Sequence, residues 1–435
     1  MTVRANEGPA DFGKELRRRR LAAGMSLARL AGRVHYSKGH LSLVERGVRA
    51  PARDLARLCD TELRAGGALA ALAGGPATPG PGLGEAKGAD QEAEVWLMRL
   101  SADGPSWFQP VSRRQAVAAG AASIAGIGIG RAGPAAADDT TLPELYRSML
   151  AQYRRLGQAV APGLVLPVLI AQTHTLRELA THAGPRTRAE LLRLASRYAE
   201  YVGWLVQETG NDESALWWTR HAVELATAGG DRELTAYGLV RNAQVTLYRD
   251  DARSTIDLAK RAQAGPVSPR VLGLAAQREA QGHALAGDHA ACMRCLDRAH
   301  DLLAAAAREH DAPVLGTTNV ADPAEMGRGW CLHELGRPQA AAEILDAQLA
   351  RVPADAVRTR IRYGMRRTLA VAASGEIDRA CEQTRELLGG ATTVASATIA
   401  TDLRKLARTL ARHPGSRAVR ELAPELGTAL RNTSP

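Results

Sequence analysis

The sequence predicts an all-α protein: a compact five-helix domain at the N-terminus, a flexible linker, and a long array of paired helices over the rest of the chain. Three observations predict it. Apolar residues recur at helical spacing through residues 12–73 and again from about 142 to 411. Between those stretches, residues 74–88 are dominated by Gly and Pro and offer few apolar anchors, which reads as a tether. Beyond residue 200, helix-breaking turns return at a nearly constant interval, the mark of a repeat array. The expected boundaries are 11–73, 74–140 and 141–430, and 435 residues suffice for two to four domains. With 42 Gly and 21 Pro the chain is near average in both, which excludes a collagen-like or wholly low-complexity chain.

The first helix runs from Phe12 to Leu21 and is ended by Gly24. Ser26 caps a second helix, whose apolar positions Leu27, Leu30, Ala31 and Val34 share one face. After a turn at His35-Tyr36, Ser37 caps a third short helix over Lys38–Arg46, which Gly47 stops. Pro51 is expected in the first turn of a fourth, with Leu55, Leu58 and Cys59 closing the core. Charge singles out this domain. Residues 1–64 carry 14 Lys and Arg against 7 Asp and Glu, leaving 42 against 39 for the remainder. Such a local excess points to a polyanionic partner, because neutralising phosphates is where cations gain binding free energy.

Two short helices joined by a tight turn inside a basic helical module form the helix-turn-helix device. On Leu16, Arg20, Gly24-Met25-Ser26-Leu27, Leu30-Ala31, Val34, Ser37, Leu41, Val44-Glu45-Arg46-Gly47 and Pro51, residues 11–73 resemble the phage-repressor and Cro-like (Xre) transcriptional regulators. The resemblance implies that the third helix enters the major groove of double-stranded DNA, with Lys38, Gly39, His40, Ser42 and Leu43 toward the bases and the capping Ser37 also among the DNA-binding residues. Lys38 would donate to guanine and Leu43 would pack on a thymine methyl. Ser26 and Leu27 would stand near the backbone or groove edge, and Arg46, Arg49 and Arg53 on phosphates. It also implies that Arg20 and Glu45 form a buried, architectural ion bridge, and that a homodimer reads two half-sites, since one small module contacts few bases. Gly39 departs from the longer side chains common at its place and leaves room for the backbone to approach the groove. The run Arg17–Arg20 goes right round a helix, so only part of it can face DNA.

Beyond the tether, residues 94–100 form a short amphipathic piece. Residues 112–137, with Arg113-Arg114 before an Ala, Gly and Ile stretch, resemble a twin-arginine export signal. Their place more than 100 residues inside the chain, and Ala116-Val117 where a bulky apolar pair is usual, favour an Ala/Gly connector instead. A start at Met98 would reverse that reading. An apolar stretch of about 15 residues is short for a membrane span. The first 20 residues lack the apolar stretch of a secretory signal and five Cys do not make a disulfide framework, so a cytoplasmic location is expected. Heavy use of Ala and Arg, with 5 Lys among 56 basic residues, fits a high-G+C bacterial genome.

From Leu142 to about Ala411, helix follows helix. Turns are expected at Gly210-Asn-Asp, Arg249-Asp-Asp, Gly287-Asp, Gly336-Arg and Gly375-Glu, in steps of 39, 38, 49 and 39. The long step holds an insertion of about ten residues within 311–323. Five positions after each turn stands a small residue (Ala215, Ser254, Cys292, Ala341, Ala380), and nine after stand Thr219, Leu258, Leu296, Leu345 and Thr384. Small residues there let paired helices cross closely. With Gly329 and Pro353, residues 190–390 resemble the tetratricopeptide repeat at a longer period. The resemblance implies a solenoid whose concave face, lined by the first helix of each pair, binds a signalling peptide or a protein partner. The lining positions are Arg197, Glu200, Trp204 and Gln207, then Gln277 and Gln281, then Trp330, His333 and Arg362.

Catalytic motifs are missing: there is no phosphate loop, no HExxH and no dinucleotide fingerprint, so neither an enzyme nor a cofactor is expected. Cys292-Met-Arg-Cys295, with His289 three positions earlier, has ligand-like spacing. Cys292 nevertheless falls at the repeat's small position and no second pair completes a ligand set, so the thiols are expected in the core and no metal is expected. Trp217-Trp218 reads as helix packing. The expected function is a sequence-specific DNA-binding transcriptional regulator whose repeat domain senses a peptide or docks a protein. Two rivals are a repeat scaffold with a vestigial helix-turn-helix, and an exported or membrane-tethered repeat protein starting near Met98.

Overall fold

The computed structural model describes residues 9–73, 95–99, 107–111, 141–308 and 315–432. The tether at 74–88 and the twin-arginine segment at 112–137 lie outside the described residues. Two compact units are present, one of residues 1–77 with 232–435 and one of residues 78–231.

Five helices make the N-terminal domain: α1 (Pro9–Ala22), α2 (Leu27–Arg33), α3 (Lys38–Glu45), α4 (Arg53–Glu62) and α5 (Ala68–Ala73). Phe12, Leu16, Leu30, Leu41, Val44, Leu55, Cys59 and Leu69 are fully buried in one cluster, and Leu58 packs on its edge. The helix ends follow the expected chemistry. Ser26 Oγ accepts from Arg29 N at 3.1 Å and Ser37 Oγ from His40 N at 3.2 Å. After α3, Gly47 takes a φ of 72°, and Val48 N reaches back to the Leu43 carbonyl at 3.0 Å, ending the helix on a left-handed glycine. Pro51 differs from expectation. It lies before α4, whose N-cap is Ala52, so it shapes the approach to that helix and not its first turn.

Among the described residues the regular structure is helical apart from one antiparallel ribbon, β1 (Val95–Arg99) with β2 (Trp107–Val111), paired so that Val95 faces Val111. No strand was expected there. Val and aromatic residues concentrate at these positions and favour extended backbone.

In the unit of residues 78–231, α6 (Thr141–Ala159), α7 (Pro162–His182), α8 (Pro185–Glu208) and α9 (Asp212–Ala228) pack in sequence. Tyr198 donates to the Tyr146 carbonyl at 2.7 Å, and Gly203 brings α8 close to Ala215 and Trp218 of α9. Trp217 and Trp218 meet edge to face with centroids 5.0 Å apart, and Trp218 is buried, as helix packing requires.

The larger unit continues with α10 (Arg232–Tyr248), α11 (Ala252–Ala262), α12 (Pro269–Ala286), α13 (His289–Ala306), α14 (Pro323–Glu334), α15 (Pro338–Leu349), α16 (Val357–Ala373), α17 (Ile377–Val394), α18 (Ala397–Leu410) and α19 (Arg417–Asn432). Each turn inside a pair holds one residue in the left-handed region: Gly210 in the smaller unit, then Asp250, Gly287, Gly336 and Gly375. Counting from these residues corrects the second pair by one position. Ala215, Cys292, Ala341 and Ala380 are fully buried as expected, but the fifth residue after Asp250 is Thr255, also fully buried, whereas Ser254 is half-buried. The ninth is the buried Ala259 and not the half-buried Leu258. Of the insertion, residues 315–322 are described. Arg270 donates to the carbonyls of Leu315 and Thr317 at 2.7 and 2.8 Å, and Asp322 caps α14.

Candidate nucleic-acid interface

The outer face of α3 is set by its inner one. Leu41 and Val44 are fully buried, which turns Lys38 and Gly39 to solvent and leaves Ser42 and Leu43 half-buried at the flank. A close crossing holds the helix there: a Cβ on Gly13 of α1 would collide with the carbonyl oxygens of Val44 and Glu45. Arg20 completes the brace, donating to Glu45 through Nε at 2.6 Å and Nη2 at 3.0 Å and to the Met25 carbonyl at 2.8 Å. Both side chains are less than a tenth exposed, in keeping with an architectural bridge. The rest of the arginine run divides as a helix dictates. Arg18 and Arg19 pair with Glu15, and Arg17 is exposed.

Of the residues expected to meet DNA, Ser26, Ser37, Lys38, Gly39, Arg46 and Arg49 are exposed on the domain. Leu27 is half-buried against the core. Arg46 Nε returns to the Ser42 carbonyl at 3.2 Å, which lays its guanidinium along α3. Two residues have other partners. Arg53 donates to the Asp250 carbonyl at 3.3 Å and stands 3.6 Å from that carboxylate. His40 rests against Tyr36, ring centroids 5.2 Å apart, with Nε2 buried and without a hydrogen-bond partner. Burial, helped by Arg49 and Arg412, lowers its pKa.

The positions expected to line the repeat groove fall in both units. In the smaller, Arg197 pairs with Asp231 at 2.7 Å, Trp204 stacks on Tyr201, Gln207 is buried and Glu200 half-buried. In the larger, Gln277 and Gln281 are buried, Gln281 accepts from Arg278, and Arg362 donates to Thr398 and lies over the Tyr248 ring. Trp330 carries the Arg366 guanidinium 5.4 Å from its centroid. His333 stands next to Glu334, among the charges of Lys405, Arg57 and Asp54. Sequence reading missed the other arginines of this unit. Arg366 bonds Asp402 at 3.2 Å and the Tyr248 hydroxyl at 2.9 Å, and burial lowers the pKa of Arg278. The signal was present in Arg358, Arg362 and Arg366, spaced four apart on one face of α16.

All five cysteines are free and buried. Cys295 gathers with Glu279 and His283, not with His289. The Arg298 guanidinium already occupies that cluster, 2.6 Å from Glu279 and 3.9 Å from the Cys295 sulfur, and burial pushes the thiol up to about 11. The Glu279 carboxylate is thus taken by Arg298, with His283 beside it. Among the described residues, no helix is long and apolar enough to cross a membrane.

A family model described as a helix-turn-helix domain matches residues 11–73. Comparison with curated proteins and with solved structures gives no match. Match and fold together define a helix-turn-helix DNA-binding domain followed by a region of many packed helices, the architecture of a DNA-binding regulator.

Proposed function

We propose that the chain is a sequence-specific transcriptional regulator of the repressor-like (Xre) kind. Two copies bind double-stranded DNA through α3, and a tetratricopeptide-like array takes a peptide or a protein partner. The observation that carries this reading is the division of α3: Ser37 caps it, Leu41 and Val44 anchor it, and Lys38 and Gly39 face outward at the end that meets base edges. Support for the repeats comes from the left-handed residues at 210, 250, 287, 336 and 375, each followed five positions later by a fully buried residue.

Selection of duplexes from a random pool by the full-length protein tests the reading. A consensus of two related half-sites should emerge. The Lys38→Ala variant should relax preference at one position of each half-site, at a cost of about 1 to 3 kcal/mol in discrimination, and Arg46→Ala should weaken all duplexes alike and reduce the salt slope by about 1. A selected pool no different from the input, with no duplex bound at low salt, would end the reading.

A further inference from the structure

Within the larger unit, five successive turns of the array meet the DNA-binding domain. The α10–α11 turn gives Asp250 to Arg53. The α12–α13 turn offers the Leu285 carbonyl to Arg57 at 2.9 Å, and Gly287 lies under Ala70. At the α14–α15 turn, Thr61 donates to the Leu335 carbonyl at 2.8 Å and Gly336 lies under the Arg57 carbonyl. The α16–α17 turn sets Gly375 against the His35 ring. After α18, Arg412 bonds Asp54 at 2.5 Å and stacks 4.3 Å from the centre of the Tyr36 ring. At the middle of this row the Arg57 guanidinium is bonded to Glu334, both buried.

Three of those turns carry a left-handed glycine whose missing Cβ leaves room for an atom of the DNA-binding domain. The row is therefore shaped to that domain as well as to its own turns. Its chemistry is that of a contact that opens. Among the described residues, the domain's apolar cluster comprises only its own members, between Phe12 and Ala73. Charge pairs and bonds to carbonyls cross the seam beside the close glycine contacts, and a cleft of about 220 Å³ remains between Arg53, Arg57, Ala71, Asp250 and Leu285.

We propose that this edge of the array is a seat for the chain's own DNA-binding domain, and that duplex DNA competes with the seat. The inference rests on the DNA-binding reading above. Arg53, placed to hold a phosphate, is on Asp250 in the seated form, where a phosphate would meet an aspartate in its way. Tyr36, in the turn before α3, is covered by Arg412, and His40 rests against Tyr36. Release frees this edge of α3, while Lys38, Arg46 and Arg49 are exposed in either form. A partner that binds the array and disfavours the seat raises DNA affinity by that same differential.

The discriminating variant is Arg412→Ala, because it removes a cation and so should weaken duplex binding on charge alone. Full-length wild type, Arg412→Ala and Glu334→Gln are compared by fluorescence anisotropy on a labelled duplex of mixed sequence, about 30 base pairs, in about 50 mM salt. Amide hydrogen exchange of α4 and of residues 285–288 and 335–337 is read on the same proteins. The expected result is faster exchange at both sides of the seam, with Arg412→Ala binding the duplex at least about three-fold tighter than wild type. Unchanged exchange in both variants overturns the seat. Faster exchange with equal or weaker duplex binding overturns the competition. If no protein binds the duplex, the DNA-binding reading fails and the competition with it, while exchange still decides the seat.

Discussion

Arg20 spans from α1 to Glu45 at the end of α3, and neither charge is in water. Desolvating the two is repaid by two-point geometry and by the Met25 carbonyl, so removing one partner costs far more than the pair adds. Arg20→Ala is expected to cost about 3 to 5 kcal/mol, read as lost hydrogen-exchange protection in α1 and α3. Arg18→Ala, on an exposed pair with Glu15, should cost less than about 1 kcal/mol. Equal effects would refute a buried brace. The pair was legible in the sequence because its members stand at fixed places in a familiar pattern. Gly13 was not, since the need for a glycine is created by the carbonyls of Val44 and Glu45, about thirty residues later. His40 and Arg53 were placed on the right domain, but the residues that engage them lie in distant helices.

At the scale of one helix pair, the second turn shows what limits a count along the sequence. Four turns carry glycine as their left-handed residue and announce their own register. The other gives that conformation to Asp250, with φ of 57°, which aspartate tolerates without a glycine's conspicuousness. Register therefore slipped by one residue, and with it the crossing point of α11. Thr255 fills that point, its hydroxyl bonded to the Asp251 carbonyl at 2.7 Å and 2.8 Å from the Thr246 hydroxyl. Thr255→Leu should overpack the crossing and remove the Thr246–Thr255 hydroxyl bond, although the Thr246 hydroxyl keeps the Ala243 carbonyl at 3.0 Å, a loss of about 1 to 3 kcal/mol in urea unfolding. Ser254→Leu, one residue away and half-buried, should stay within about 0.5 kcal/mol of wild type. The reverse order would restore the glycine-based count.

In the whole molecule, the concentration of positive charge in the first 64 residues was legible as a polyanion-binding domain, but the seat was not. Glu334 and Arg57 are 277 residues apart and each looks like an ordinary helix residue. Their burial makes the seam sensitive to acid. His333 is lowered by burial, with Lys405 and Arg57 adding to the effect and Glu334 and Asp54 opposing it. His35 and His40 are lowered in the same way. Since the freed histidines take up protons first, near 6.5, their contribution to the seated form is complete above that pH and declines below it. The carboxylates follow with the same sign. Burial opposes ionisation of Glu334, but Arg57, Lys405 and His333 outweigh it and hold the carboxyl at about 2, so its contribution fades as pH falls from 4.5. Arg412 likewise overcomes the burial of Asp54 and lowers it. Hydrogen-exchange protection of α4, corrected for intrinsic rates, should therefore hold from pH 8 to about 6.5 and then fall steadily toward pH 5. His333→Gln should lessen that first decline, leaving the part due to His35 and His40, and leave the carboxylate step below 4.5 in place. Protection that is constant from pH 8 to 5 would show that the seam does not bury these histidines in solution.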